Sequence, residues 1–190
     1  MPYDSAATRT RLLDAAYTEF SERGLAGARV ERIASVAAAN KQAIYAYFGS
    51  KDGLFDAMLA VRLGALADTA PFTPDDLPGY AGALFDALQA SPEILRLTQW
   101  SWLERADVSP GEVESHREKA REIAAASGGT LSDARAMDIL VLVIGLSTAW
   151  STTAPELRAI GDDDPVTRTK SHRAAVVAAA TAVVEALGSN

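Results

Sequence analysis

Asn40, Lys41, Gln42, Ala43, Tyr45 and Tyr47 bring together a capping amide, a cation, a second amide and two phenols within eight residues. Side chains of these kinds donate to phosphate oxygens and to base edges, and a recognition helix presents such groups from its N-terminal end. The segment before them, Val30-Glu31-Arg32-Ile33-Ala34-Ser35-Val36, places Val30, Ile33, Ala34 and Ala37 on one helical face. A turn through Ala38 and Ala39 follows. Asn40 is an N-cap by type, its side-chain oxygen able to accept a backbone N–H one turn into a helix that begins at Lys41. Ile44 and Phe48 of that helix point inward, which leaves Lys41, Gln42, Ala43, Tyr45 and Tyr47 on or near its outer face. The pattern predicts two short helices whose second member reads DNA.

Catalytic chemistry finds no comparable footing. Gly145-Leu146-Ser147-Thr148-Ala149 lacks the final glycine of a nucleophile elbow and lies within a helical pattern, so Ser147 is expected to pack between helices. His116 and His172 fall in polar helical surroundings with no second imidazole or paired carboxylate at a metal-face spacing, which predicts solvated rings and no metal site. Gly128-Gly129 is a loop without the lysine of a phosphate cradle. The chain has no Cys, which excludes disulfides, thiolate metal sites and cysteine nucleophiles. The expectation is a protein that is not an enzyme and carries no cofactor.

The elements that position these residues are all helical. An opening helix from about Ser5 to Arg23 carries the inward stripe Leu12, Leu13, Ala16, Tyr17 and Phe20 and ends at Gly24. A longer helix starts at Ser50-Lys51-Asp52-Gly53 and runs to about Ala67, packing Leu54, Phe55, Met58 and Leu59 against the head; its first N–H groups and Lys51 are placed to meet a backbone phosphate. Helices are then predicted over Asp76–Ala90, Pro92–Arg105, Gly111–Ala126, Leu131–Trp150 and Pro165–Leu187, about nine in all, with no alternating strand pattern. The run Ile139–Leu146 is apolar on every side but too short for a bilayer, which takes about 20 residues, so no membrane association is expected.

A chain of 190 residues with 48% hydrophobic content supports a sizeable core. The first residues are polar and charged rather than an apolar signal segment, so a cytoplasmic location is expected. The formal net charge of −7 is unevenly distributed: residues 1–51 hold seven Lys or Arg against five acids, net +2, leaving −9 for the remainder. A basic head on an acidic body suits a protein whose head meets phosphates while its body is repelled by them. In that body Phe72, Tyr80, Phe85, Trp100, Trp102 and Trp150, with Gln99 and Glu104 as polar partners, are the residues from which an apolar ligand pocket would draw its lining; helical core is the other reading of the same residues. Trp100 and Trp102 stand two apart and cannot share one stripe.

Arg11–Ala16, Phe20-Ser21-Glu22-Arg23-Gly24, Ile33-Ala34, Asn40-Lys41 through Ile44-Tyr45-Ala46-Tyr47-Phe48 and Ser50-Lys51-Asp52-Gly53-Leu54, in that order, resemble the N-terminal head of the TetR family of bacterial transcriptional regulators over about Thr8 to Leu59. The resemblance implies a helix-turn-helix domain over residues 1–51, linked through the helix at Lys51 to an effector-binding and dimerisation domain over 52–190. It implies a repressor that binds a double-stranded, pseudo-palindromic operator as a homodimer and is released by a small-molecule effector, with Arg29 and Lys51 anchoring the DNA backbone. The last two long helices of each subunit would pair as a four-helix bundle, through Ile139, Val143, Leu146, Val176, Ala180 and Val183. Two positions depart from the pattern. Ala38 replaces the glycine common in the turn and Ala28 replaces a capping hydroxyl. Those departures and the acidic balance keep a second reading open, a helical ligand- or partner-binding protein whose head no longer reads DNA.

Overall fold

The computed structural model describes residues 5–105, 108–161 and 164–188. Ten helices make up the described residues: α1 (Ser5–Gly27), α2 (Val30–Val36), α3 (Lys41–Phe48), α4 (Lys51–Thr69), α5 (Leu77–Ala90), α6 (Pro92–Glu104), α7 (Pro110–Ala126), α8 (Asp133–Thr152), α9 (Pro155–Arg158) and α10 (Pro165–Gly188). The fold is all-α, as the periodicity predicts. The one-turn helix α9 is too short to carry a periodic pattern. α1 passes through Gly24 at φ 68° and ψ 177°, outside helical geometry, so the expected stop is there as a break, followed by one further turn.

The contacts group the chain otherwise than a division between 51 and 52. One unit holds residues 1–65 and 93–109, the other 66–92 and 110–190. The reason lies in the core of the first unit. Leu12, Leu13, Ala16 and Phe20 of α1 and Ile33 and Ile44 of the short pair are closed off by Leu54, Phe55, Met58 and Leu59 of α4 and by Leu97 of α6. Phe20 and Phe55 meet edge to face with ring centroids 5.1 Å apart. Three helices of this length cannot bury such a core unaided, so most of α4 and all but the first residue of α6 belong with the head.

The sharp entry into α4 depends on Gly53. A Cβ there would lie 2.1 Å from the Phe48 carbonyl oxygen, while the Gly53 amide donates to the Ser50 hydroxyl at 2.9 Å. Ser50 thereby caps the helix.

In the second unit α5 packs on α8 and α10, α7 packs on α8, and α8 packs on α10. Ser147 of α8 is fully buried and donates to the carbonyls of Val143 and Ala81, a packing role between α8 and α5. α8 is long and apolar enough to cross a membrane, with mean hydropathy 1.4 over its best window, and its apolar residues divide between two faces. Ile139, Leu140 and Val143 are buried with Val176 and Ala180 of α10, whereas Val141, Leu142, Gly145 and Ala149 face outward. On α10 the outward positions are Ala174, Ala175, Ala178 and Ala182. Both outward sets recur at three- and four-residue spacing, as a stripe along one face of each helix.

The α2–α3 turn holds Ala38 at φ 48°, the one non-glycine residue with positive φ among those described. Side-chain sterics disfavour this left-handed conformation. Ala38→Gly is therefore expected to raise unfolding stability by about 1 kcal/mol. Urea unfolding of the two proteins measures it, and an unchanged or lower midpoint would show that the turn carries no strain.

Candidate nucleic-acid interface

α3 is capped as its sequence requires: the Asn40 side chain accepts the Ala43 amide at 2.8 Å. Lys41, Gln42 and Tyr45 stand exposed on α3, and Tyr47 is half-buried, tilted against Phe48 with ring centroids 6.1 Å apart. Ala43 does not join the outer face. It is buried beside Ile44, because a helix beginning at Lys41 turns its third and fourth residues toward α1 and α2. Arg29 is exposed at the N-cap position of α2 and its guanidinium has no ion-pair partner among the described residues.

Two of the cations are engaged within the head. Lys41 Nζ lies 2.6 Å from Glu31 Oε1 of α2, and 6.0 Å from the centroid of the Tyr45 ring. The hydrogen bond draws Glu31 below and Lys41 above their ordinary pKa values. Lys51 Nζ donates to the Ala28 carbonyl at 3.0 Å and reaches the Ala26 carbonyl at 3.4 Å, so its charge fastens the α1–α2 connection instead of standing free for a phosphate.

Glu19 anchors the start of α2, a role that the helical pattern of the sequence does not single out. It lies on the buried stripe of α1 with Ala15, Ala16 and Phe20, and its carboxylate accepts the Arg29 amide at 2.9 Å and Arg32 Nε at 2.8 Å. A second Arg32 nitrogen also donates to it, and Arg23 lies 3.5 Å away. α2 has no side-chain cap of its own, so this carboxylate takes over the work of the missing hydroxyl at the helix start. Burial alone pushes the Glu19 carboxyl up. The hydrogen bonds from Arg32 and the Arg29 amide, and the charges of Arg32 and Arg23, outweigh it and hold the group below its ordinary value of 4.5. The signal was present: a carboxylate on an inward stripe must find partners. At the far end of α2, Arg11 Nε donates to the Ala37 carbonyl at 3.0 Å, so α1 secures both ends of that helix.

The aromatic set of the body does not form one lining. Trp100 packs against the core of the first unit, beside Gly24 and beneath Arg96, whose Cζ lies 5.4 Å from its ring centroid. Trp102 is 56% exposed, so the two tryptophans do face different ways. Gln99 is half-buried in the same unit, and the Glu104 carboxylate accepts the Ala26 amide at 2.6 Å. Phe72, Tyr80, Phe85 and Trp150 belong to the second unit. There Phe72 meets Tyr80 edge to face at 5.1 Å, and Phe85 is buried in the core. His172 is not solvated as expected; it stacks near Trp150 with centroids 4.4 Å apart and packs 5.8 Å from Phe85. His116 is half-buried, its Nδ1 lying 2.8 Å from the Glu112 carbonyl oxygen.

The expected dimer-facing residues need a similar correction. Ile139, Val143, Val176 and Ala180 are already buried within the second unit, and Leu146 and Val183 are half-buried. An all-apolar helix does not disclose which of its faces its own chain will cover.

Comparison with known proteins decides the family. Residues 12–58 match the family described as bacterial regulatory proteins, tetR family, and residues 76–181 match the tetracyclin repressor-like C-terminal domain. The chain belongs to the TetR family. Among TetR-family relatives, the HTH-type transcriptional repressor SCO4008 of Streptomyces coelicolor is 39% identical over 163 residues, covering 83% of this chain and 84% of that protein. The HTH-type transcriptional repressor NicS of Pseudomonas putida is 46% identical over 52 residues, 27% of this chain and 24% of its own length. The crystal structure of the transcriptional regulator SCO4942 of Streptomyces coelicolor superposes with a TM-score of 0.74 at 36% identity, covering 94% of this chain and 97% of that one. The helix-turn-helix head is thus a TetR-type DNA-binding domain, and the protein a transcriptional regulator.

Replacing Glu19 isolates its role. Glu19→Gln is expected to lower stability by about 1.5–3 kcal/mol, the range for a hydrogen bond to a charged group. Because the folded carboxyl lies below 4.5, its contribution is full above that pH and is lost as pH falls through the lower folded value. The stability difference between wild type and variant should shrink accordingly in acid. A difference that stays constant from neutral pH into acid would show that the charge is not what matters.

Proposed function

We propose that this regulator is a cytoplasmic repressor that binds a two-fold-symmetric operator as a homodimer and leaves it when a small organic effector binds the body. The observation that supports this most is the exposed first half of α3, where Lys41, Gln42 and Tyr45 share a capped, well-anchored helix. Gln42 has the amide fork that pairs with an adenine edge, and Arg29 and the Lys41 ammonium suit phosphates. The relatives named as repressors favour that sense of regulation.

Dimerisation through the outward stripes fits their composition. Val141, Leu142, Gly145 and Ala149 of α8 with Ala174, Ala175, Ala178 and Ala182 of α10 combine two sizeable apolar side chains with small residues that permit close helix approach. Two heads would then read half-sites about 34–36 Å apart or a multiple of it, so a small change in separation misregisters one of them. The effector's unequal affinity for the two arrangements supplies the energy of release. α4 begins in the first unit and its last turn lies in the second, which makes it the direct covalent route for that change.

The engagement of Lys41 with Glu31 and of Lys51 with two carbonyls favours the second reading, a helical ligand-binding protein with a disused head. One experiment separates the two. In a footprint on the DNA upstream of the protein's own gene, across a salt series, the repressor reading requires a salt-sensitive, two-fold-symmetric protected site. Lys41→Ala should weaken protection and reduce the salt slope by about one, and Gln42→Ala should alter base preference. Glu31→Gln should tighten binding roughly two- to fivefold at low salt, since it frees Lys41 and removes a like charge facing the phosphates. No protection at low salt, followed by none on selection from random sequence, supports the disused head.

Sedimentation tests the assembly. The wild type is expected to sediment as a dimer and Leu142→Glu to shift toward monomer, because a carboxylate would enter a dry helix contact. A dimer unaffected by Leu142→Glu would place the interface elsewhere.

A further inference from the structure

The second unit contains a cavity of about 250 Å³ at the C-terminal end of α8, bounded by α9 and the first turns of α10. Its polar lining is two arginines and Thr169, whose hydroxyl donates to the Pro165 carbonyl at 2.8 Å. Arg158 Cζ lies 5.7 Å and Arg168 Cζ 5.5 Å from the ring centroid of the buried Trp150. Neither guanidinium has an ion-pair partner among the described residues, and the Nε of each is shielded from solvent without a hydrogen-bond acceptor. His172 Nε2, on the ring stacked near Trp150, is orphaned in the same way. Three such unmatched polar atoms in one place are unusual, because a buried donor or acceptor left unmatched costs about 1–3 kcal/mol.

The nearby carboxylates that are described do not answer them. Asp86 pairs with Arg173 at 2.7 Å, and Asp164 accepts the Val166 and Thr167 amides as the cap of α10. Glu156 is exposed and forms no ion pair among the described residues. Burial, and then the charge of Arg168, push His172 below its ordinary value, so at neutral pH the ring adds no charge and the two guanidinium groups set the sign of the site. Apart from Thr169, the rest of the lining is apolar: Pro155, Ala159 and Pro165 beside the Trp150 ring.

We propose that Arg158 and Arg168 bind the carboxylate of a small aromatic acid whose ring lies in the Pro155, Ala159 and Pro165 pocket beside Trp150. A carboxylate is the acceptor that matches the planar guanidinium fork. A flat ring suits the apolar walls, and the volume, below the roughly 300–1,000 Å³ of drug-sized sites, suits a single ring. This assignment rests on the reading of the body as an effector domain and gives the effector its chemical class.

Tryptophan emission of the full-length protein, titrated with sodium benzoate, benzamide and sodium phosphate, tests it. Benzoate is expected to saturate, and benzamide, the same ring without the charge, is not. Arg158→Gln and Arg168→Gln should each weaken benzoate roughly tenfold or more, with Arg168→Lys intermediate because it keeps charge and loses the fork. Circular dichroism and thermal midpoints close to wild type establish that the variants are folded. Equal benzoate binding in the wild type and the double Arg→Gln variant, equal binding of benzamide, or phosphate binding in preference to benzoate would overturn the assignment. So would a double variant that sediments as a monomer beside a dimeric wild type, since the arginines would then belong to the subunit contact. Operator affinity is measured separately, with and without benzoate: arginine-dependent binding that leaves operator affinity unchanged upholds the site and counts against its role in release.

Discussion

The Glu19 carboxylate lies on the inward stripe of α1, where burial favours neutrality, and it remains charged because α2 presents a backbone amide and a guanidinium to it at once. The geometry of the reading helix depends on that contact. α2 has only seven residues and no side-chain cap, too short to hold its own conformation in water. With Glu19 at its start and Arg11 at its last carbonyls, both ends are satisfied from α1, and the hydrophobic contacts of Ile33 and Ala34 need only set its rotation. α3 then follows through a four-residue connection whose shape is fixed by Ala38 in the left-handed region and by the Asn40 cap. The strain at Ala38 is tolerable because the elements on either side are held by other means.

The same economy of charge governs the cations around α3. Of the cations that sequence alone assigns to phosphate contact, Lys51 closes the α1–α2 connection and Lys41 is held by Glu31. These are not equivalent restraints. The Lys51 contacts are with carbonyl oxygens of the head's own backbone, and releasing them would loosen the fold. The Lys41–Glu31 pair is a solvent-exposed contact between two flexible side chains, and such pairs are weak and screened by salt. On the proposed DNA-reading role of α3, a phosphate would compete with Glu31 for the Lys41 ammonium, which so exposed a pair does not lock away.

Helix positions were legible in the sequence because their signals are local: Asn40, Asp76 and Ser132 each accept an amide three residues on, and prolines open α6, α7 and α10. TetR-family membership was legible for a related reason, since the motif pieces of the head lie close together in the chain. What the sequence withheld depends on which faces meet across long separations. Ala43 reads as an outer residue until the start of α3 and its packing partners are fixed. Ile139 and Val141 are both apolar, two residues apart on α8, yet one is buried within its own unit and the other faces outward. Likewise His172 and Trp150, far apart in sequence, become neighbours only through the packing of α10 on α8.

Burial of charge follows one rule in both units, with different completions. In the first unit a carboxylate on an apolar stripe is matched by donors from the chain itself, and the arrangement is structural. In the second, guanidinium groups are brought against an indole and left with donors unmatched. The Trp150 ring accounts for where the arginines lie, because cation–π attraction holds a guanidinium over an aromatic face while leaving its N–H groups directed elsewhere. It does not satisfy those groups, since a π face is a poor substitute for an oxygen acceptor. In the head, the buried carboxylate is matched internally and fixes the start of α2 against α1. A body that leaves guanidinium donors unmatched beside a cavity would, on the proposed reading, release free energy to an incoming acceptor.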